Sequence, residues 1–165
     1  MIEVKSEDNQ KKYELYKQLL TNLNVSINKG FYFQAVFIEY AILEDRCSSI
    51  IRVTLGEKSL ETDEFKRRGL DYKIGKIQKY VKNNCNDSFI KKYLNDDIFK
   101  KITDWKEKRN KMVHALMNQF NSDNLNEELK EITIEGREVV REFKDVANKV
   151  KNRQKVLNSK KRKKK

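Results

Sequence analysis

The 165-residue sequence has no proline, five glycines, two cysteines and a single histidine. So few turn-forming residues argue against a turn-rich β architecture, and helices are the expected secondary structure. Cys47 and Cys85 are too few for the disulfide framework of a small secreted domain, so we expect both thiols to be reduced and packed.

Long apolar segments are also missing. The N-terminal stretch "MIEVKSEDNQKKYE" lacks the apolar region of a secretory signal. No apolar run elsewhere approaches the length of a membrane span. We therefore expect a cytoplasmic protein that does not associate with membranes.

Positive charge is abundant, with a formal net charge of +12. The stretch "KKRKKK" at 160–165 supplies half of it, so the remainder of the chain is basic as well. Such an excess favours nucleic acid as a partner, because each phosphate contact releases condensed counterions. Basic tails are also often merely solvated. We divide the chain into a helical domain, 1–154, and a basic tail, 155–165.

Hydrophobic spacing predicts several helices. Apolar residues recur every three or four positions at Tyr13, Tyr16, Leu20, Leu23 and Ile27, and "NKG" at 28–30 should end this first helix. The next segment, 31–55, is apolar on more than one side, as in a helix packed between neighbours. A charged connector at 56–69 reads as a loop or frayed helix.

Four further helical segments follow this connector. A second stripe runs through 70–81, and Asp87 or Ser88 should cap a short helix. Another helix should begin near Asp96 or Asp97, and the last places Gly136 on an apolar face, which indicates a close approach of two helices. The sequence predicts an all-α, antiparallel bundle of about five helices.

An arginine interrupts the apolar stripe of the helix predicted over 97–120. At about 100° per residue, seven apolar residues fall within one arc: Ile98, Ile102, Trp105, Met112, Val113, Leu116 and Phe120. Arg109 lies in the middle of that arc. A guanidinium stays charged, and its burial without a partner is costly, so packing alone would favour leucine here.

Two structural explanations of Arg109 compete with a functional one. Its side chain could reach the edge of the stripe, or it could pair with a buried carboxylate such as Glu39 or Glu44. The functional explanation draws on Asn110 and His114, which lie four apart and share a face beside Arg109. Trp105, on the apolar side, is expected to be core.

These three side chains suit metal-free RNA cleavage. Imidazole exchanges a proton near neutral pH, and a guanidinium holds a phosphate through paired hydrogen bonds. Acid and base catalysis need two imidazoles, and the chain has one. Two-fold symmetry would supply the second, so we expect a homodimer whose motif helices face each other across a cleft.

Arg109, four intervening residues and His114, with polar Asn110 after the arginine, resemble the R-x4-6-H signature of the HEPN superfamily. The segment "NKGFYFQAVFIEYAILE" looks like that superfamily's second helix, and the resemblance covers most of 13–150. Its members are small helical bundles, many of them metal-independent ribonucleases in toxin–antitoxin, phage-defence and CRISPR systems. Leu116 departs from the tyrosine usual in toxins paired with nucleotidyltransferase antitoxins.

The resemblance implies that Arg109 contacts the scissile phosphate, His114 acts as acid or base, and Asn110 orients the substrate. We expect a dimeric endoribonuclease that leaves a 2′,3′-cyclic phosphate, with an antitoxin or other regulatory protein as a possible partner. The residues expected to contact RNA are basic: Lys106, Lys111, Lys160, Lys161, Arg162 and Lys163. The alternative is a non-catalytic helical module that binds nucleic acid or a partner protein.

Neither a metal nor a cofactor is expected. One histidine and two distant cysteines form no ligand cluster, and Asp96 and Asp97 are better explained as helix caps. The glycines lie too far apart for a phosphate-binding loop.

Overall fold

The computed structural model of this chain describes residues 7–118 and 124–162. Within these ranges all regular structure is helical, with a 3-10 turn at Glu57–Leu60. The seven α-helices are α1 (Glu7–Asn28), α2 (Tyr32–Leu55), α3 (Asp63–Arg67), α4 (Leu70–Asn83), α5 (Ser88–Tyr93), α6 (Asp96–Asn118) and α7 (Leu125–Arg162). The predicted all-α bundle is confirmed, with five of these helices long. The dimer stays a prediction.

Helix α2 occupies the centre of the bundle, as its apolar composition predicted. It packs against α1, α4 and α7. Its completely buried residues include Ile42, Leu43 and Ile51. Because neighbours cover α2 on several sides, it forms the scaffold against which the other long helices are positioned.

Helix α1 ends at Asn28, in the "NKG" stretch where the sequence predicts its end. At the end of α1, Gly30 adopts a φ of +73°. The N–H of Phe31 donates to the Ser26 carbonyl (2.8 Å), and that of Gly30 donates to the Ile27 carbonyl (3.1 Å). This paired bonding is a Schellman motif, which favours glycine because of the positive φ.

The caps of α5 and α6 are provided by side chains. Asp87 accepts a hydrogen bond from the Ile90 N–H (3.0 Å), which confirms it as the N-cap of α5. Asn95 accepts one from the Ile98 N–H (3.1 Å), so the cap of α6 is Asn95 and not Asp96 or Asp97. Those two aspartates occupy the first turn, where negative charge also stabilises a helix.

Other expectations concern single residues. Cys47 and Cys85 are free and buried, as predicted. Tyr13 is 50% exposed, so the apolar stripe of α1 reaches the core only further along the helix. Helix α7 continues without a break through the 154/155 division of the chain, and Leu157 still packs against the core. Among the described helices, none is both long and apolar enough to cross a membrane.

Candidate functional site

The candidate site lies on α6, whose buried face holds the helix against the bundle. Ile98, Ile102, Trp105 and Met112 are all buried, which confirms most of the predicted stripe. Phe120 lies outside the described residues. Trp105 is completely buried, and its Nε1 donates to the Ile132 carbonyl of α7 (3.0 Å).

Arg109 is half-buried in this face, and aromatic rings of α2 hold its side chain. Its Cζ lies 4.5 Å from the ring centroid of Phe37 and 4.9 Å from that of Tyr40. The Tyr40 hydroxyl in turn accepts a hydrogen bond from the N–H of Leu70 (3.3 Å), at the start of α4. Cation–π attraction therefore stabilises the guanidinium, and α4 fixes one of the rings.

The hydrogen bonds of Arg109 are few. Nη1 donates to Oδ1 of Asn110 (3.0 Å), while Nε is buried and has no hydrogen-bond partner. Burial lowers the pKa of Arg109 below its ordinary value, an effect that Tyr40 opposes. The group nevertheless stays charged near neutral pH, because a guanidinium does not lose its proton there.

Arg109 forms no ion pair with the two carboxylates that the sequence offered as partners. Glu44 accepts a hydrogen bond from the ammonium of Lys73 (2.9 Å). Glu39 is completely buried on α2, and neither of its carboxylate oxygens has a hydrogen-bond partner. The pairing explanation of Arg109 was therefore wrong, and its positive charge has no acidic counter-ion among the described residues.

Asn110 and His114 occupy different environments. Asn110 is half-buried and bonded to Arg109, whereas His114 is exposed and receives no hydrogen bond from the part of the chain that the structure describes. Five residues of helix separate the arginine and histidine by about 7.5 Å along the axis and by about 140° around it. Arg109 and Asn110 are thus connected by a side-chain hydrogen bond, whereas the exposed side chain of His114 is accessible to another molecule.

The lysines and arginine expected to contact RNA differ in accessibility. Lys106 is 9% exposed, and its ammonium lies 2.5 Å from Oδ1 of Asp71. Lys111 is exposed and lines an open, charged cavity of about 480 Å³ between α6 and α7. Lys160 is exposed near the end of α7. Lys163 lies outside the described residues, and so do the side chains of Lys161 and Arg162.

The sequence did not reveal the aromatic neighbours of Arg109. Phe33 and Phe37 on α2 are 47% and 41% exposed, although the whole segment reads as core. Their spacing with Tyr40, at four and then three residues, is a signal for one aromatic face of α2, because it places all three rings together, but it carries no information on the contact with Arg109. We call Phe33, Phe37 and Tyr40 the aromatic stripe.

No set of three His, Cys, Asp or Glu side chains within the described ranges is placed to hold a metal ion. Comparison of the chain with protein-family models, with curated proteins and with solved structures found no match. The candidate site is therefore defined by its own geometry: an uncompensated guanidinium on aromatic rings, an amide bonded to it, and an exposed imidazole further along the helix.

Proposed function

We propose that the chain is a metal-independent endoribonuclease of the HEPN type that works as a homodimer, as a toxin or anti-phage effector. The observation that carries this proposal is the state of Arg109. Phe37 and Tyr40 hold its guanidinium in place, and no described carboxylate neutralises it. A fixed cation that lacks a counter-ion is suited to an anionic ligand such as phosphate.

The reaction we propose is an internal transesterification. A base takes the proton of the 2′-hydroxyl, and the oxygen attacks the adjacent phosphorus. The bond from phosphorus to the 5′-oxygen breaks, and an acid returns a proton to that oxygen. The products are a 2′,3′-cyclic phosphate and a 5′-hydroxyl. Arg109 would stabilise the charge that builds on the phosphorane, and Asn110 would keep the guanidinium oriented.

Two imidazoles are needed for this reaction, one as base and one as acid. The only histidine in the sequence is His114, and its side chain is exposed at a distance from Arg109 along the helix. In a two-fold dimer with facing α6 helices, His114 of each copy supplies one role. The accessibility of His114 supports this arrangement, because a histidine packed into the bundle could not reach a second copy.

Cleavage of total RNA in EDTA tests the proposal. Wild-type protein should cleave, while Arg109→Ala and His114→Ala should each lose activity by about 100-fold or more. Lys100→Ala is the matched control, because it removes an exposed cation of the same helix that is not among the residues expected to contact RNA. Circular dichroism should show equal helicity in all four proteins.

The products and the pattern of losses decide the outcome. A 2′,3′-cyclic phosphate end supports the proposed reaction. Cleavage that survives both substitutions would show that the activity comes from elsewhere. Equal losses in Arg109→Ala and Lys100→Ala would reduce the role of Arg109 to general charge.

A second candidate is a non-catalytic module that binds nucleic acid or a protein. The observation favouring it is that Arg109 and His114 do not meet within one chain. Under this alternative, none of the proteins cleaves RNA, and His114→Ala binds RNA as well as wild type does.

A further inference from the structure

We infer that the aromatic stripe is a stacking site for unpaired nucleobases, so that the ligand of this surface is single-stranded RNA. The inference rests on the proposed function in taking RNA as the ligand. It adds the form of RNA that is bound and the residues that select it. Neither Phe33 nor Phe37 belongs to the proposed catalytic set.

Exposure of the rings is the first argument. Phe33 and Phe37 lie one helical turn apart with ring centroids 4.9 Å apart and an interplanar angle of 62°. Nearly half of each residue remains open to solvent, at 47% and 41%. Exposed rings of this size carry a solvation cost that a stacked base removes, and every base has a face that can stack on them.

Charge is the second argument, and it indicates an anionic ligand such as nucleic acid. The guanidinium of Arg109 lies against Phe37 and has no acidic counter-ion within the described ranges. A phosphate next to a stacked base would provide that counter-ion.

A similar ring elsewhere on the molecule shows what is particular about this site. Phe89 on α5 is 38% exposed, and the Cζ of Arg153 lies 5.6 Å from its ring centroid. However, Arg153 is already paired with Asp87, with Nη2 2.8 Å from Oδ2. Phe89 therefore combines exposure with a neutralised cation, which makes it the matched control.

Fluorescence anisotropy with a labelled ten-nucleotide uridine RNA and a ten-base-pair RNA duplex tests the inference. The measurements use His114→Ala protein, so that cleavage cannot consume the probe. Phe33→Leu and Phe37→Leu should each weaken single-strand binding by about tenfold and the double variant by more. Duplex binding should change by less than about twofold, because paired bases present no free face. Phe89→Leu should leave both affinities unchanged.

Several outcomes would overturn the inference. These are unchanged single-strand binding, an equal loss for single strand and duplex, or an equal loss in Phe89→Leu. If sedimentation shows that Phe33→Leu dissociates a dimer, the aromatic stripe is a self-association surface instead. If Phe37→Leu disturbs folding, Phe33→Leu carries the test alone, since no contact of its ring with Arg109 is found.

The two proposals can fail separately. Single-strand binding that depends on Phe33 in a protein without nuclease activity would support the stacking site and contradict the ribonuclease. Cleavage that depends on Arg109 and His114, with binding indifferent to both phenylalanines, would do the reverse.

Discussion

Glu39 of α2 and Gly136 of α7 are in such close contact that a Cβ on residue 136 would collide with the Glu39 carboxylate. The same Cβ would lie 2.5 Å from Nε1 of Trp105 on α6. Three helices therefore meet at a position where only glycine fits. The close approach that Gly136 indicates in the sequence is confirmed, and it fixes how α6 sits relative to α2.

Gly136→Ala should destabilise the protein, because the added methyl group has to displace a buried carboxyl group and an indole. Overpacking of this kind costs about 1–3 kcal/mol. Gly75→Ala, on α4, is the control. Apart from its chain neighbours and the backbone of its own helix, no atom lies within 4 Å of its added Cβ, and alanine favours the helix by about 0.5–1 kcal/mol. Urea unfolding should show opposite shifts of the two midpoints, and a shared direction would contradict the packing explanation.

Stability should fall with rising pH because of Glu39. Burial raises its pKa from 4.5 to about 9, although Arg137 acts in the opposite direction. Between these values the folded protein keeps a proton that the unfolded chain has lost, so the free energy of unfolding decreases as pH rises. The loss is at most about 1.4 kcal/mol per pH unit for one proton.

Glu39→Gln tests this pH dependence, since an amide cannot ionise. We expect the variant to gain stability relative to wild type as the pH is raised from 5 to 8.5, as measured by urea unfolding at several pH values. Parallel profiles of the two proteins would contradict a protonated Glu39. Arg141→Gln changes an exposed residue of α7. It should leave the slope of the free energy of unfolding against pH nearly the same as in wild type.

The sequence was sufficient to predict the helices, but not to predict which sides of α2 are buried. Periodic apolar residues and caps such as Asp87 are local signals, so the helices and their ends could be predicted. Helix α2 is apolar on more than one side, and the packing of α1, α4 and α7 decides which side is covered. For this reason Glu39 is buried while Phe33 is exposed, the reverse of what their polarity suggests.

For the same reason, the contacts of Arg109 could not be predicted from the sequence. Its position on the buried face of α6 follows from helical spacing, which depends on one helix alone. Its neighbours depend on the register between α2 and α6, which a single sequence does not encode in any local pattern. The prediction offered carboxylates, whereas the structure places two aromatic rings there.

The ion pair of Lys73 and Glu44 should contribute more to stability than the surface pairs do. Lys73 is 8% exposed, so removal of Glu44 leaves a buried ammonium without its carboxylate. We expect Glu44→Ala to cost about 1–3 kcal/mol. Glu135→Ala, which breaks the exposed pair with Lys108, should cost no more than about 0.5 kcal/mol. Thermal or urea unfolding that gave equal losses would contradict this difference in burial.

Removal of 160–165 should weaken RNA binding without affecting the fold. Truncation after Ser159 retains Leu157, which packs against the core, so the unfolding midpoint should not change. The six basic residues lost are half of the net charge of +12. Because phosphate contacts release counterions, the slope of log affinity against log salt should become shallower, by at most about 4 for a single strand.

The control for this truncation replaces 160–165 with six glutamines, which keeps the length and removes the charge. It should bind RNA as weakly as the truncated protein at low salt, and both should approach wild type as salt is raised. If the glutamine variant binds like wild type, the tail acts through its length and not its charge. Unchanged affinity of the truncated protein at low salt would mean that 160–165 is only solvated. The basic residues of 1–159 would then supply the attraction for RNA.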